Sequence, residues 1–164
     1  MKRFLTTKGL IGIVLLAAIA LIAILGPLIL SPDAATAMDM TARRSPPSMK
    51  HLFGTDQLGR DLLFRVILGA RTSLEIAVSA VVMSVVLGLP LGLISGYFGG
   101  WIDNVLMRLV DTLLAFPALL LALTISAVLG PNVQNTVIAI GIAFTPFLAR
   151  IIRGEALRVA QMPY

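Results

Sequence analysis

The sequence predicts an all-α integral membrane protein, and three observations carry that reading. Hydrophobic residues make up 58% of the 164 positions and charged residues only 13%, about half the charge of a soluble domain. The mean hydropathy is +0.98. Uncharged runs occupy residues 10–30, 76–102 and 112–149, and a helix needs only ~20 residues to cross ~30 Å of hydrocarbon. The ~10-residue alternating segments of a membrane barrel are absent.

The first run is 21 residues long and follows Lys2, Arg3 and Lys8. A basic start and the Ala35-Thr36-Ala37 triplet resemble a secretory signal, but a signal's apolar core runs only ~7 to 15 residues. The run therefore reads as an uncleaved transmembrane helix. Ser31-Pro32-Asp33 ends it, and Pro46-Pro47 keeps the following stretch irregular. His51, the lone histidine in a chain without cysteine, reads as an exposed loop residue; no second His or Cys joins it to hold a metal.

Next comes GTDQLGRD, residues 54–61. Thr55 or Asp56 is a plausible N-cap. Leu58, Leu62, Val66 and Ala70 then repeat every four residues, while Asp56/Arg60 and Asp61/Arg65 form acid-before-base pairs four apart. This predicts a short amphipathic helix at the membrane surface, with Asp56, Arg60, Asp61 and Arg65 as its charged face.

The second span carries Ala80, Ser84, Gly88, Gly92 and Gly96 at every fourth position, with Pro90 inside the row. Small residues let helix backbones approach closely in lipid. The row drifts ~40° per step, so it winds around the helix instead of lying on one stripe. Pro90, Pro117 and Pro146 each interrupt a span, and Gly88, Pro90, Gly92, Gly96, Pro117 and Pro146 are the candidate packing and flexing positions. Tyr97, Phe98 and Trp101 form an aromatic belt around Gly99-Gly100. The third span opens with Arg108 and Asp111, three apart and placed to pair with each other.

The third uncharged run is 38 residues long and so holds two spans, divided by the turn signal Gly130-Pro131-Asn132. Four spans result, which puts both ends of the chain on one side. Charge does not say which side: with the N-terminus inside, seven basic residues face the cytoplasm and six face out. After Ala149, Arg150, Arg153, Glu155 and Arg158 continue the last helix into water.

Several functions lack their signatures. There is no phosphate-binding G-x-x-x-x-G-K-[ST], no G-x-G-x-x-G and no H-E-x-x-H, so no catalytic residue, cofactor site or metal site is assigned. The net charge of +5 is spread between apolar runs, which does not suit a nucleic-acid partner. A passive channel or half of a secondary transporter would need ionisable groups at mid-membrane, and spans one, two and four have none. A membrane structural or assembly protein stays open as an alternative.

Three segments, HLFGTDQLGRDLLFRVILGARTSL, GYFGGWIDNVLMRLVDTLLAFPALLLAL and ARIIRGEALRVAQMPY, resemble the inner-membrane permease subunits of binding-protein-dependent ABC importers, in the dipeptide, oligopeptide and nickel class, and there the second permease of the pair. The resemblance runs from His51 onward and implies the N-terminal part of a type I importer permease fold. It implies a division into 1–72, an N-terminal helix and periplasmic loop, and 73–164, an incomplete transmembrane domain. Its E-A-A…G coupling loop would start just after Tyr164, so the chain reads as C-terminally truncated, with Arg150, Arg153, Glu155 and Arg158 approaching that loop. The implied partners are a second permease, two ATP-binding subunits, a periplasmic solute-binding protein and the lipid bilayer. The implied function is passage of di- or oligopeptides across the bacterial inner membrane, with a cytoplasmic N-terminus, a periplasmic GTDQLGRD and ATP hydrolysis left to the separate subunits.

Overall fold

A computed structural model describes residues 7–162. Among them are six α-helices: α1 (Thr7–Ile29), α2 (Pro32–Thr36), α3 (Leu62–Phe98), α4 (Gly100–Leu114), α5 (Ala118–Leu129) and α6 (Val133–Ala160), with one turn of 3-10 helix at Met40–Ala42. No strand forms among the described residues; one isolated antiparallel bridge joins Thr55 and Asp61. The predicted all-α membrane class holds. α1, α3 and α6 are each long and apolar enough to cross a membrane, and α4 with α5 passes as a fourth candidate only when the pair, bent by 85°, counts as one span. Lys2, Arg3, Pro163 and Tyr164 lie outside the described residues.

The chain divides into two compact units, Met1–Glu75 and Ile76–Tyr164. In the first, α1 ends beside the start of α3. A Cβ on Gly26 would collide with the Ile67 side chain, so glycine sets how closely these two helices meet. Residues 37–61 between them form a hydrogen-bonded loop.

In the second unit, the last part of α3 packs on α6. The chain turns sharply at Gly99 and Gly100, both at positive φ (61° and 55°), a conformation glycine adopts without strain. Gly130, at φ 89°, and Asn132, whose side chain accepts from Gln134 N at 3.1 Å, close the α5–α6 hairpin. The Gly130-Pro131-Asn132 turn thus lies where the sequence put it.

Three sequence expectations change. The second span does not run to Ile102: the glycine pair stops it at Phe98. The third span begins at Gly100, not near Arg108, and breaks at 115–117 because Pro117 cannot supply a helical N–H. The separate surface helix is absent. Residues 54–61 form turns, with Gly54 and Gly59 both at φ 75°, and the helix starts at Leu62 and runs unbroken into the second span.

Candidate functional site

The second unit is organised by a seam between α3 and α6. Ala80, Ser84, Gly88, Gly92 and Gly96 are all buried on α3. A Cβ on Gly88 would lie 3.0 Å from the Thr145 carbonyl oxygen, on Gly92 2.6 Å from that of Ala149, and on Gly96 2.6 Å from the Ala156 Cβ. As α3 advances from 88 to 96, its contact on α6 advances from 145 to 156. The two helices therefore run parallel. The α3 row steps by four and the α6 contacts at 145, 149 and 156 follow its drift, so the contact persists over three turns of α6.

Polar groups inside the seam are satisfied. Ser84 Oγ donates to the Gly141 carbonyl at 3.0 Å, and Thr145 Oγ donates to the same oxygen at 2.7 Å. In an apolar surround an unpaired hydroxyl would be costly. Gly141 also makes room for Met83, whose Sδ would stand 2.8 Å from an added Cβ. Of the three prolines, Pro146 is fully buried, Pro90 sits exposed within α3, and Pro117 caps α5 after the break.

At the far end of the seam, one carboxylate joins three helices. Asp103 on α4 accepts Nε and Nη2 of Arg153 on α6, each at 2.5 Å, and the hydroxyl of Ser95 on α3. One helical turn away on α6, Arg150 pairs with Asp111 of α4. The predicted Arg108–Asp111 pair does not form among the described residues: Asp111 turns to Arg150 on the neighbouring helix. Arg158 pairs along α6 with Glu155 at 2.6 Å, both exposed. The 150–158 group thus splits into two inter-helix clamps and one solvated pair.

The first unit holds GTDQLGRD in a compact knot. Asp56 accepts Leu58 N at 2.7 Å, Arg60 N at 3.0 Å, Arg60 Nε at 2.9 Å and Arg65 Nη1 at 2.7 Å. Burial works against its charge, but the Arg60 and Leu58 N–H groups and the Arg60 guanidinium outweigh it and lower its pKa to about 2. Asp61, not Thr55 or Asp56, caps α3, accepting Leu63 N at 2.8 Å and Phe64 N at 3.2 Å. The expected Asp61–Arg65 pair is replaced: Arg65 reaches Asp56, and Asp61 takes His51 Nδ1 at 2.9 Å. His51 is therefore not an exposed loop residue, its side chain being only 16% exposed. Burial likewise opposes the charge of Asp61, and the bonds from His51, Phe64 and Leu63 bring its pKa below the ordinary carboxylate value. Thr55 ties the knot shut, donating to the Ala42 carbonyl and accepting Ser45 N at 2.9 Å. The four charged residues are brought together, but as a structural lock and not as a free charged face.

Sequence reasoning missed Ser95 and underread Asp103, which it took as the end of an apolar run. The available signal was that Asp103 and Arg153 are opposite charges flanking apolar runs at the same end of the predicted bundle.

These features come from a sequence with known relatives. Residues 88–164 match the binding-protein-dependent transport system inner membrane component family. The chain is 43% identical over 154 residues to a putative peptide transport system permease protein of Brucella suis, covering 94% of this chain and 51% of that protein. Residues 88–164 thus carry a match to this permease family's domain. It is also similar to a dipeptide transport system permease protein of Alkalihalophilus pseudofirmus (41% over 153 residues; 93% of this chain, 50% of that protein). A glutathione transport system permease protein of Shigella flexneri is 48% identical over 132 residues (80% and 44%). The chain spans about half the length of the curated relatives it matches. The family match opens at Gly88 and takes in the Asp103–Arg153 clamp and the seam from Gly88 onward.

Proposed function

We propose that this chain forms part of the pathway-lining permease subunit of an ATP-driven importer of di- or oligopeptides. The cargo class comes from the names of the relatives. One structural observation supports the mechanical side: α3 and α6 run parallel. The chain must return between them, so α4 with α5 serves as the return crossing. In this reading the chain crosses four times, and the resemblance to importer permeases, not the helix geometry, supplies the side: both chain ends in the cytoplasm and the GTDQLGRD knot in the periplasm.

In this reading residues 1–72 supply an anchor and a periplasmic brace, and residues 73–164 supply the moving helices. Arg150, Arg153, Glu155 and Arg158 lead toward the contact with two ATP-binding subunits. A push on this tail is transmitted to α4 through Asp103 and Asp111, and to α3 through the glycine seam, because close-packed helices move as a body. A second permease completes the pathway, and a periplasmic solute-binding protein selects the cargo. ATP is hydrolysed in the separate subunits.

The test expresses the tagged gene product with the ATP-binding subunits, second permease and solute-binding protein of the same cell. Co-purification of the ATP-binding subunits, and peptide uptake that needs both ATP and the binding protein, are expected. A chain that purifies without them and supports no peptide uptake contradicts the proposal and favours an assembly role.

A further inference from the structure

Three guanidinium groups and two carboxylates line a cavity of about 570 Å³ between α4 and α6. Arg153 is matched by Asp103 and Arg150 by Asp111. Arg108 makes no ion pair among the described residues. It enters the same cavity as Asn104, a neutral donor. The cavity therefore carries one uncompensated positive charge, and helix packing gives no account of it.

The neighbouring face of α4 locates the cavity. Trp101, Val105 and Leu109 are spaced by four and are 75%, 51% and 62% exposed. Tyr97 and Phe98, just before the Gly99-Gly100 bend, are exposed as well. Exposed aromatic rings at the end of an apolar helix sit at headgroup depth in a bilayer. Asp103 and Asn104 follow Trp101 within one helical turn, so the cavity opens at that same depth. An Arg fork presents paired donors that match phosphate oxygens, and an adjoining apolar helix face suits acyl chains.

We propose that this α4–α6 cavity binds the phosphate of an anionic phospholipid, held by Arg108 and Asn104, with the acyl chains along Trp101, Val105 and Leu109. This site does not depend on the cargo or on the direction of transport.

Trp101 is the only tryptophan in the chain and reports directly on the lipids beside it. The full chain would be reconstituted in phosphatidylcholine vesicles containing either brominated phosphatidylglycerol or brominated phosphatidylcholine, and quenching of Trp101 measured. The expected result is about fivefold preferential association of phosphatidylglycerol, the attraction of one cation at an anionic surface. Arg108→Gln should bring that ratio to near one, and Arg108→Lys should keep part of it. Since Arg108 has no carboxylate partner among the described residues to strand, the Gln variant should keep its helix content by circular dichroism. Arg71→Gln, also exposed, should leave the ratio unchanged. Equal quenching by the two lipids, or a preference that survives Arg108→Gln, overturns the proposal. Loss of the preference on adding inorganic phosphate at constant ionic strength would assign the site to free phosphate and overturn the lipid reading.

Discussion

Arg153 and Asp103 meet through two hydrogen bonds of 2.5 Å across a separation of 50 residues. The same carboxylate takes the hydroxyl of Ser95, so a single side chain fixes the ends of α3, α4 and α6 to one another. A paired charge at a helix end is tolerated near a membrane boundary where an unpaired one is costly.

A double-mutant cycle should expose this clamp. Asp103→Asn and Arg153→Gln each leave a charge without its partner, and the measured coupling between them should be about 1–3 kcal/mol. Unfolding in mixed detergent micelles gives the readout. The reversed pair, Asp103→Arg with Arg153→Asp, should recover part of the loss. Strictly additive single effects would show that the pair contributes nothing.

Gly92 and Gly154 should respond in opposite ways to alanine. At Gly92 a Cβ would press within 2.6 Å of the Ala149 carbonyl oxygen, whereas at Gly154 nothing lies within 4 Å. Gly92→Ala should destabilise by about 1–3 kcal/mol through overpacking. Gly154→Ala should be neutral or stabilising by up to about 1 kcal/mol, since alanine favours helix. The same detergent titration compares them, and equal effects would mean that α3 and α6 do not meet along this seam.

The knot formed by residues 54–61 should weaken in acid. The folded-state pKa of Asp56 is lowered to about 2 from an ordinary value of 3.8, and that of Asp61 is lowered too. Depressed carboxylates mean that the unfolded loop binds more protons as pH falls. Their stabilisation is complete above about pH 4 to 5 and lost progressively as pH drops toward 2. Proteolysis with an acid-active protease should cut residues 43–61 faster at pH 2.5 than at pH 5. Asp56→Asn should remove most of that dependence. A cutting rate that is flat across this range would contradict the assignment.

The sequence resolved lengths and breaks better than partners. Uncharged runs located α1, α3 and α6, because hydrocarbon thickness imposes a minimum length that composition reports directly. Gly130-Pro131-Asn132 marked a turn because each of its residues carries a local backbone preference. The surface helix was misread for a definable reason. Leu58, Leu62, Val66 and Ala70 have helical spacing, but Gly59 sits at φ 75°, where a Cβ would also collide with the Asp39 carbonyl. Periodicity in sequence does not record that long-range contact. Asp61 was paired with Arg65 by the spacing rule for an exposed helix, whereas burial of the loop instead gave it His51. Asp111 left Arg108 for Arg150 on another helix, which no spacing along α4 could reveal.

In the proposed topology, three crossings separate Leu62 from Ala160. The chain has no cysteine, so single cysteines can be placed freely at Met49, which is 97% exposed in the loop, and at Val159, 47% exposed near the end of α6. Labelling intact cells with a membrane-impermeant maleimide should modify Met49→Cys at once and Val159→Cys only after the membrane is permeabilised. Modification of both cysteines in intact cells, or of neither, would contradict the account.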